Sequence, residues 1–345
     1  MTILGLETSC DETAAAVVQD GMKVLSSVIA TSSDMHIKTG GIIPENAARR
    51  QIESIIPVIQ KALKDSFPKT SSLESQIRHI DAIAVTYGPG LIGSLLVGAE
   101  TAKTLSCIWD KPLIPVNHLV AHIYANWIDT KPPTLPAIAL VVSGGHTDMV
   151  LMKGHGKLKW IGGTRDDAAG ECFDKCARLL ELPYPGGPSI SKEADNFFQS
   201  PKSEVQNLNM FPRPMMHTKD FDFSFSGLKT SVYNYLQTEH KKVSRDKLAA
   251  EIQEAIADVL VKKSIDALKL INPKSFLLSG GVAANVRLRE KLQLEVAKLE
   301  KKVDLRIPSP KYCTDNGVVI GSCAYFNKII TPWQKISADP QLEIV

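Results

Sequence analysis

Two stretches of the chain share one pattern, in which an apolar strand, a short polar turn and a second apolar strand follow one another. The first stretch covers residues 3–18 and the second covers residues 137–152. Short apolar runs that are bounded by turn residues are typical of buried strands. The repeated pattern therefore predicts two related lobes, each of which begins with a strand hairpin.

Other apolar segments predict a mixture of helices and strands. Residues 46–64 carry apolar positions at helical spacing, although Pro57 should kink or break that helix. Residues 221–225 alternate aromatic and small polar side chains, which favours a strand with the aromatic rings on one face. Further helices are predicted at residues 95–109, 247–270, 287–302 and 318–326, and further strands at residues 24–30, 80–86, 112–116, 275–279 and 305–307.

A proline-rich segment at residues 129–136 marks the expected boundary between the lobes. We predict an N-terminal lobe of residues 1–130, a C-terminal lobe of residues 131–326 and a tail of residues 327–345. A duplicated strand hairpin with helices resembles the actin-like (ASKHA) ATPase folds, in which a nucleotide lies between the lobes. The expected fold is therefore α/β and actin-like, with a mixed sheet and flanking helices in each lobe and a ligand cleft between them.

Composition limits the class of protein. The 345 residues suffice for two lobes with cores, and the net charge of +3 is too small to indicate nucleic-acid binding by itself. The six cysteines form no C-x-x-C pair, which suits a reducing compartment such as the cytoplasm. The chain opens on a strand and has no apolar run near the ~20 residues of a membrane span, so we expect neither a targeting peptide nor a membrane segment.

A histidine pair carries the most specific chemistry in the sequence. His118 and His122 are four residues apart, a spacing that stacks both imidazoles on one helix face, where they could share a zinc or iron ion. Zinc proteases with this spacing also need a glutamate after the first histidine, and here that residue is Leu119. A third ligand must come from elsewhere, and Asp315 is the candidate. The alternative is a helix with two ordinary polar contacts.

The turn of the first hairpin holds Thr8, Ser9, Asp11, Glu12 and Thr13. Hydroxyl groups and turn amides can contact phosphate oxygens, and the two carboxylates can bind a metal or accept a proton. The alternative is a polar hairpin tip without function.

The second half of the chain holds turns that a ligand could approach. The segment 143–147 repeats the small polar turn of the first hairpin, and glycine pairs occur at 186–187 and 280–281. Asp174 could accept hydrogen bonds from ribose hydroxyls, or it could be a surface carboxylate. Asn285 could offer its amide to a purine or a ribose.

Taken together, these motifs resemble one family, the tRNA threonylcarbamoyl-adenosine transferases, formerly called O-sialoglycoprotein endopeptidases. The resemblance covers about residues 2–326, and the forms of residues 166–171 and 184–188 are similar to the bacterial branch. One departure is Val120-Ala121, where bacterial relatives often carry Glu-Gly. The motifs occur in order as GLETSCDET at 5–13, GPG at 88–90, NHLVAH at 117–122, VSGGHT at 142–147, DDAAGE at 166–171, FSFSGLKT at 223–230, SGGVAAN at 279–285 and CTDNG at 313–317.

The resemblance implies an activity, a metal and substrate contacts. The group transferred is threonylcarbamoyl, which moves from threonylcarbamoyl-AMP to the exocyclic amine of the adenosine 3′ to the anticodon, in tRNAs that read codons beginning with A. The implied cofactor is one divalent metal ion, iron (Fe²⁺) first and zinc second. The implied site residues are His118, His122 and Asp315 for the metal, Val141, Val142, Ser143, Gly144 and Gly145 for the adenylate, and Asp174, Gly187 and Asn285 for its nucleoside part.

The resemblance also implies partners: tRNA, a paralogous actin-like subunit, a small ATPase and an upstream threonylcarbamoyl-AMP synthase, all in the cytoplasm. Because the adenylate is already activated, no nucleophilic side chain is required, and Asp11 or Glu12 could accept the proton lost by the attacking amine. Three other functions are weighed against this one: an actin-like kinase or ATPase, a metalloprotease, and a nucleotide-binding scaffold subunit without catalysis.

Overall fold

The computed structural model describes residues 1–32, 41–200, 208–238 and 243–345. Within it the chain forms two compact units, the first made of Met1–Pro133 and Pro308–Val345 and the second of Thr134–Ile307. Each unit is built on a five-stranded sheet.

The sheet of the first unit has the order β3-β2-β1-β4-β5. Strands β1, β2 and β3 pair antiparallel, whereas β4 pairs parallel with both β1 and β5. The strands are β1 (Thr2–Glu7), β2 (Glu12–Gln19), β3 (Lys23–Thr31), β4 (Ala82–Gly88) and β5 (Leu113–Asn117). The helices of this unit are α1 (Pro44–Ser66), α2 (Leu73–Arg78), α3 (Ile92–Trp109), α4 (His118–Ile123) and, near the end of the chain, α10 (Gly317–Asn327).

The sheet of the second unit has the order β10-β9-β6-β7-β8. Strands β6, β7 and β8 pair antiparallel, whereas β9 pairs parallel with both β6 and β10. The strands are β6 (Ala137–Val142), β7 (Thr147–Gly154), β8 (Lys157–Gly163), β9 (Ser275–Ser279) and β10 (Asp304–Arg306). The helices are α5 (Ala169–Leu179), α6 (Gly186–Phe198), α7 (Ser226–Thr238), α8 (Arg245–Ile271) and α9 (Val286–Ala297).

The two sheets have the same topology, since three antiparallel strands are followed by two parallel ones in each. The predicted duplication and the mixed sheets with flanking helices are therefore confirmed. In both units the central strands are buried on both faces, as their apolar runs predicted.

The compact units differ from the predicted division in one respect. Residues 308–326, which the sequence analysis assigned to the C-terminal lobe, pack in the first unit instead. The reason is a close backbone contact between β1 and α10. A Cβ atom on Gly5 would lie 2.3 Å from the carbonyl oxygen of Gly317 and 2.7 Å from the backbone nitrogen of Gly321.

The C-terminal residues continue along the first unit. The backbone N–H of Thr331 donates to the carbonyl of Leu113 at the edge strand β5, and that of Asp339 donates to the carbonyl of Tyr87. The side-chain amide of Asn117 donates to the carbonyl of Glu343 at 2.7 Å. The predicted tail is therefore tied to the end of the sheet from which α4 starts.

One local prediction is wrong. Residues 221–225 form no strand, because only Phe223 bridges to Thr164, and the backbone N–H of Phe225 donates to the Asp166 carboxylate instead of to a second strand. The aromatic rings are core residues, as expected, since Phe223 and Phe225 are fully buried. Of the two outcomes predicted for Pro57, a kink or a break, the break does not occur, because helix α1 continues through Pro57 to Ser66.

Among the described residues, no helix combines the length and the apolar character that a membrane crossing requires.

We predict that Gly5→Ala destabilises the first unit by about 3 kcal/mol or more, because the methyl group would collide with backbone atoms that cannot rotate away. Gly281→Ala is the matched control, since a Cβ atom there would meet nothing within 4 Å. Urea unfolding monitored by tryptophan fluorescence measures both. Equal stability of the two variants would contradict the close packing of β1 against α10.

Candidate functional site

Helix α4 places the two histidines together. The side-chain oxygen of Asn117 caps this helix by accepting hydrogen bonds from the backbone N–H groups of Leu119 at 2.9 Å and Val120 at 3.1 Å. The cap starts the helix directly at His118, so the predicted spacing holds. The ring centroids of His118 and His122 are 4.6 Å apart, in an edge-on arrangement.

Asp315 reaches the histidine pair from the loop before α10. Its Oδ1 atom lies 3.4 Å from Nε2 of His122 and 3.7 Å from Nε2 of His118. Metal–ligand bonds of about 2.1 Å in a tetrahedral site separate neighbouring ligand atoms by about 3.4 Å. The described part of the chain thus brings together a His-His-Asp group, with all ligand atoms within 4.8 Å of one another, that is compatible with a single metal ion.

The hydrogen bonding of His122 also fits a metal. Its side chain is 1 % exposed, and both ring nitrogens are without a hydrogen-bond partner among the described residues. Unsatisfied buried polar atoms are costly, and each needs an explanation. Coordination of an ion by Nε2 would supply the missing interaction of that nitrogen.

Three charged groups determine the electrostatics of this site: Glu7, which is buried, and His118 and Asp315, whose side chains are 12 % and 22 % exposed. Burial opposes the charged form of His118, but the carboxylates of Glu7 and Asp315 outweigh it and raise the pKa of His118 to about 9. Burial would raise the pKa of Asp315, but the neighbouring His118 and His122 lower it to about 2. The pKa of Glu7 is likewise lowered by His118 against the effect of burial. Without a metal, two carboxylates therefore enclose one imidazolium.

The acidic hairpin lies in the same unit. Glu12 begins β2; Thr31 donates a hydrogen bond to one of its carboxylate oxygens at 3.1 Å, and the other oxygen is buried without a partner in the described chain. Burial, with a further contribution from the Asp11 carboxylate, raises the pKa of Glu12 to about 7. A carboxyl group with this pKa can exchange a proton near neutral pH.

The second unit contains the glycine turns. Val141 and Val142 are buried strand residues of β6, so only their backbone could meet a ligand. The following turn is closed by a hydrogen bond from the Ser143 N–H to the carbonyl of His146 at 2.8 Å. Gly144 and Gly145 are exposed, and a Cβ atom on either would meet nothing within 4 Å.

The remaining predicted residues surround the start of α6. A carboxylate oxygen of Asp174 accepts a hydrogen bond from the Gly186 N–H at 2.7 Å, and burial raises the pKa of Asp174. Asp174 and Gly187 are therefore neighbours, and Gly187 faces open space. The side-chain amide of Asn285 donates to the Ser191 hydroxyl and to Gln253, both at 2.8 Å, so its N–H groups are engaged within the protein.

Comparison with known proteins decides the family. The model of the family described as tRNA N6-adenosine threonylcarbamoyltransferase matches residues 23–322. Two relatives carry this same name. The protein from Thermomicrobium roseum is 46 % identical over 94 % of this chain and 92 % of its own. That from Clostridium novyi is 45 % identical over 99 % of this chain and 97 % of its own.

The chain belongs to the tRNA N6-adenosine threonylcarbamoyltransferase family. It is accordingly a transferase that modifies tRNA, and the kinase, protease and non-catalytic readings are not favoured.

Solved structures with a similar fold support the architecture described above. The chain is similar to component A of the (R)-2-hydroxyglutaryl-CoA dehydratase of Acidaminococcus fermentans, with a TM-score of 0.51 and 15 % identity over 94 % of this chain and 98 % of that one. It is also similar to the activator of a 2-hydroxyisocaproyl-CoA dehydratase from Clostridium difficile, with a TM-score of 0.50 and 14 % identity over 94 % of both chains. The fold is actin-like.

One residue that holds the acidic hairpin, Gln51, was not among the residues predicted from the sequence. Gln51 of α1 is fully buried, and its side-chain amide donates to the carbonyls of Thr8, Cys10 and Glu12 at 3.3, 3.1 and 2.9 Å. A signal was available, because Gln51 lies one turn before Ile55 on the apolar face of the helix. A polar residue on a buried face usually binds something specific.

Proposed function

We propose that this chain transfers the threonylcarbamoyl group of threonylcarbamoyl-AMP to the exocyclic amine of the adenosine 3′ to the anticodon, in tRNAs that read codons beginning with A. Family membership supports the class of reaction, and the His118–His122–Asp315 group is the observation that carries the proposal. A kinase of the same fold has no need for two buried imidazoles beside a carboxylate.

His118, His122 and Asp315 would hold one divalent ion through two nitrogens and one oxygen. This donor set suits iron, which we take as the native metal, and also zinc. When bound, such an ion with an open coordination position polarises a carbonyl or orients a carboxylate.

The second unit would bind the adenylate. Val141, Val142, Ser143, Gly144 and Gly145 offer backbone groups, and the open space beside Gly144, Gly145 and Gly187 supports close approach of a phosphate and a ribose. Asp174 would accept hydrogen bonds from ribose hydroxyls. Asn285 would act mainly through Ser191 and Gln253, which its amide contacts.

The chain's own residues then need to position the substrates and move one proton. The donor is a mixed anhydride of a carbamic and a phosphoric acid, so AMP leaves without prior activation. The attacking adenosine nitrogen loses a proton as the new C–N bond forms. Glu12 would accept that proton, since its pKa of about 7 leaves a useful carboxylate fraction at neutral pH.

The proposed partners are tRNA, a paralogous actin-like subunit, a small ATPase and an upstream synthase that supplies threonylcarbamoyl-AMP, with the cytoplasm as the place of reaction. Helix α1 offers a docking surface for the paralogous subunit. Ile52 is 64 % exposed and Ile56 47 %, and on the neighbouring α3 Ile92 and Leu96 are exposed at the same spacing. These four residues form the apolar surface that we propose for docking.

Reconstitution tests the function. The protein and its partners are incubated with tRNA, threonine, bicarbonate, ATP and the synthase, and the nucleosides are analysed by mass spectrometry. We expect a threonylcarbamoyl-adenosine product, and a loss of at least about 100-fold in His122→Ala together with loss of bound metal. His155→Ala, an exposed histidine of the second unit, should behave as the wild type. An unmodified tRNA with preformed adenylate present would refute the proposal.

Glu12→Gln should lower the transfer rate by about 10²–10⁴-fold at saturating substrate, because the variant cannot accept a proton. The wild-type rate should rise with pH through about 7, since Glu12 acts in its deprotonated form, and the variant should lack this rise. Glu300→Gln, an exposed glutamate of the second unit, is the control. Wild-type rates in both Asp11→Ala and Glu12→Ala would exclude the hairpin as the base.

Ile52→Glu should weaken binding of the paralogous subunit by roughly 10-fold or more, because it places a charge in an apolar contact. Ile108→Glu is the matched control, since Ile108 is 73 % exposed but lies on another face of α3. Titration by calorimetry measures both. If Ile108→Glu weakens binding and Ile52→Glu does not, the partner docks elsewhere.

A further inference from the structure

Glu7, the last residue of β1, is a buried carboxylate that the proposed function does not use. Its side chain is 1 % exposed, and a charge at such a position must be compensated. One carboxylate oxygen accepts a hydrogen bond from the Thr86 hydroxyl at 2.6 Å and lies 3.0 Å from Nδ1 of His118. The other oxygen accepts the backbone N–H of Ser9 at 2.5 Å. Glu7 thus connects β1, β4 and α4.

This arrangement determines which nitrogen of His118 carries its proton. An ionised carboxylate only accepts hydrogen bonds, so Nδ1 of His118 must be the donor in its contact with Glu7. The other ring nitrogen, Nε2, is then free of its proton when the ring is neutral. Nε2 is the atom that lies 3.7 Å from Asp315, on the side where a metal would be held.

The second histidine of the pair has no such contact. Nδ1 of His122 is buried and has no hydrogen-bond partner in the part of the chain that the structure describes. Glu7 therefore orients His118 alone, and it lies at the end of β1 rather than on α4, the helix that carries both histidines.

We infer that Glu7 is the positioning residue of the metal centre: it fixes the ring orientation and the tautomer of His118, so that Nε2 is presented to the ion. The inference rests on the metal site of the proposed function. In other metal sites, a carboxylate that orients a ligating histidine in this way typically contributes roughly 10–100-fold to metal affinity.

Glu7→Gln tests this role with little change of shape. Glutamine has one acceptor oxygen and one NH₂ donor, whereas Ser9 on one side and His118 on the other both need an acceptor. If the NH₂ group faces His118, it favours the tautomer with the proton on Nε2, and that nitrogen then cannot bind the ion beside His122 and Asp315. If it faces the Ser9 N–H, two donors meet. Either outcome should weaken metal binding.

The measurement is Zn²⁺ affinity by competition with a chromophoric chelator, together with ¹⁵N-histidine NMR of the Zn²⁺-loaded protein and of the metal-free protein at a pH above about 9, where the His118 ring is neutral. We expect a roughly 10–100-fold lower affinity in Glu7→Gln and a shift of the His118 tautomer. Glu251→Gln is the matched control, because Glu251 is also 1 % exposed but lies in the second unit, where it accepts the N–H of Met210. It should leave Zn²⁺ affinity unchanged.

The outcomes separate this inference from the function on which it rests. A wild-type protein that binds no divalent metal overturns the metal site and this inference together. Wild-type binding with an unchanged affinity and tautomer in Glu7→Gln overturns the role of Glu7 alone. If Glu7→Gln does not fold, the wild-type NMR spectrum decides, since a Zn²⁺-loaded His118 that is bound through Nδ1, with its proton on Nε2, contradicts the inference.

Discussion

The close packing of β1 against α10 is the constraint on which the candidate metal site depends. Glycine on both sides, at Gly5 and Gly317, lets the two backbones approach without intervening side chains. Asp315 stands two residues before Gly317, so the same contact that seats the helix also carries the carboxylate to the histidines. A single bulky residue at this contact would therefore cost both packing energy and the third ligand. This is why residues from the end of the chain belong to the first unit.

The buried charges of that unit form a second constraint, since each is costly by itself and is stabilised only by its neighbours. The pKa of His118 rises to about 9 because two carboxylates compensate for its burial. A divalent ion would replace the proton on that ring and would balance the charge of Glu7 and Asp315 equally well. Since a ligating nitrogen must be free of its proton, protonation of His118 and metal binding compete with each other.

The parts of the fold that repeat a simple period or a known motif could be predicted from the sequence. The strand hairpins, the duplication and the histidine helix follow from apolar patterning and i, i+4 spacing. The position of Asp315 in the first unit could not be predicted, because a glycine contact between distant segments leaves no local pattern. Residues 221–225 were predicted to form a strand, whereas the backbone N–H of Phe225 donates its hydrogen bond to the Asp166 carboxylate. Glu7 was missed for a related reason: its partners, Thr86 and His118, are 79 and 111 residues away.

The shared topology of the two sheets makes the difference between their first turns informative. In the first unit the turn after β1 carries Asp11 and Glu12, and its Ser9 N–H is already bound to Glu7. The two carboxylates place negative charge where a phosphate would approach this turn. In the second unit the corresponding turn after β6 carries Gly144 and Gly145, with open space beside them and no carboxylate of its own. The same backbone element therefore carries carboxylates in one unit and exposed glycines in the other, and this difference is why we propose proton transfer at the first turn and adenylate binding at the second.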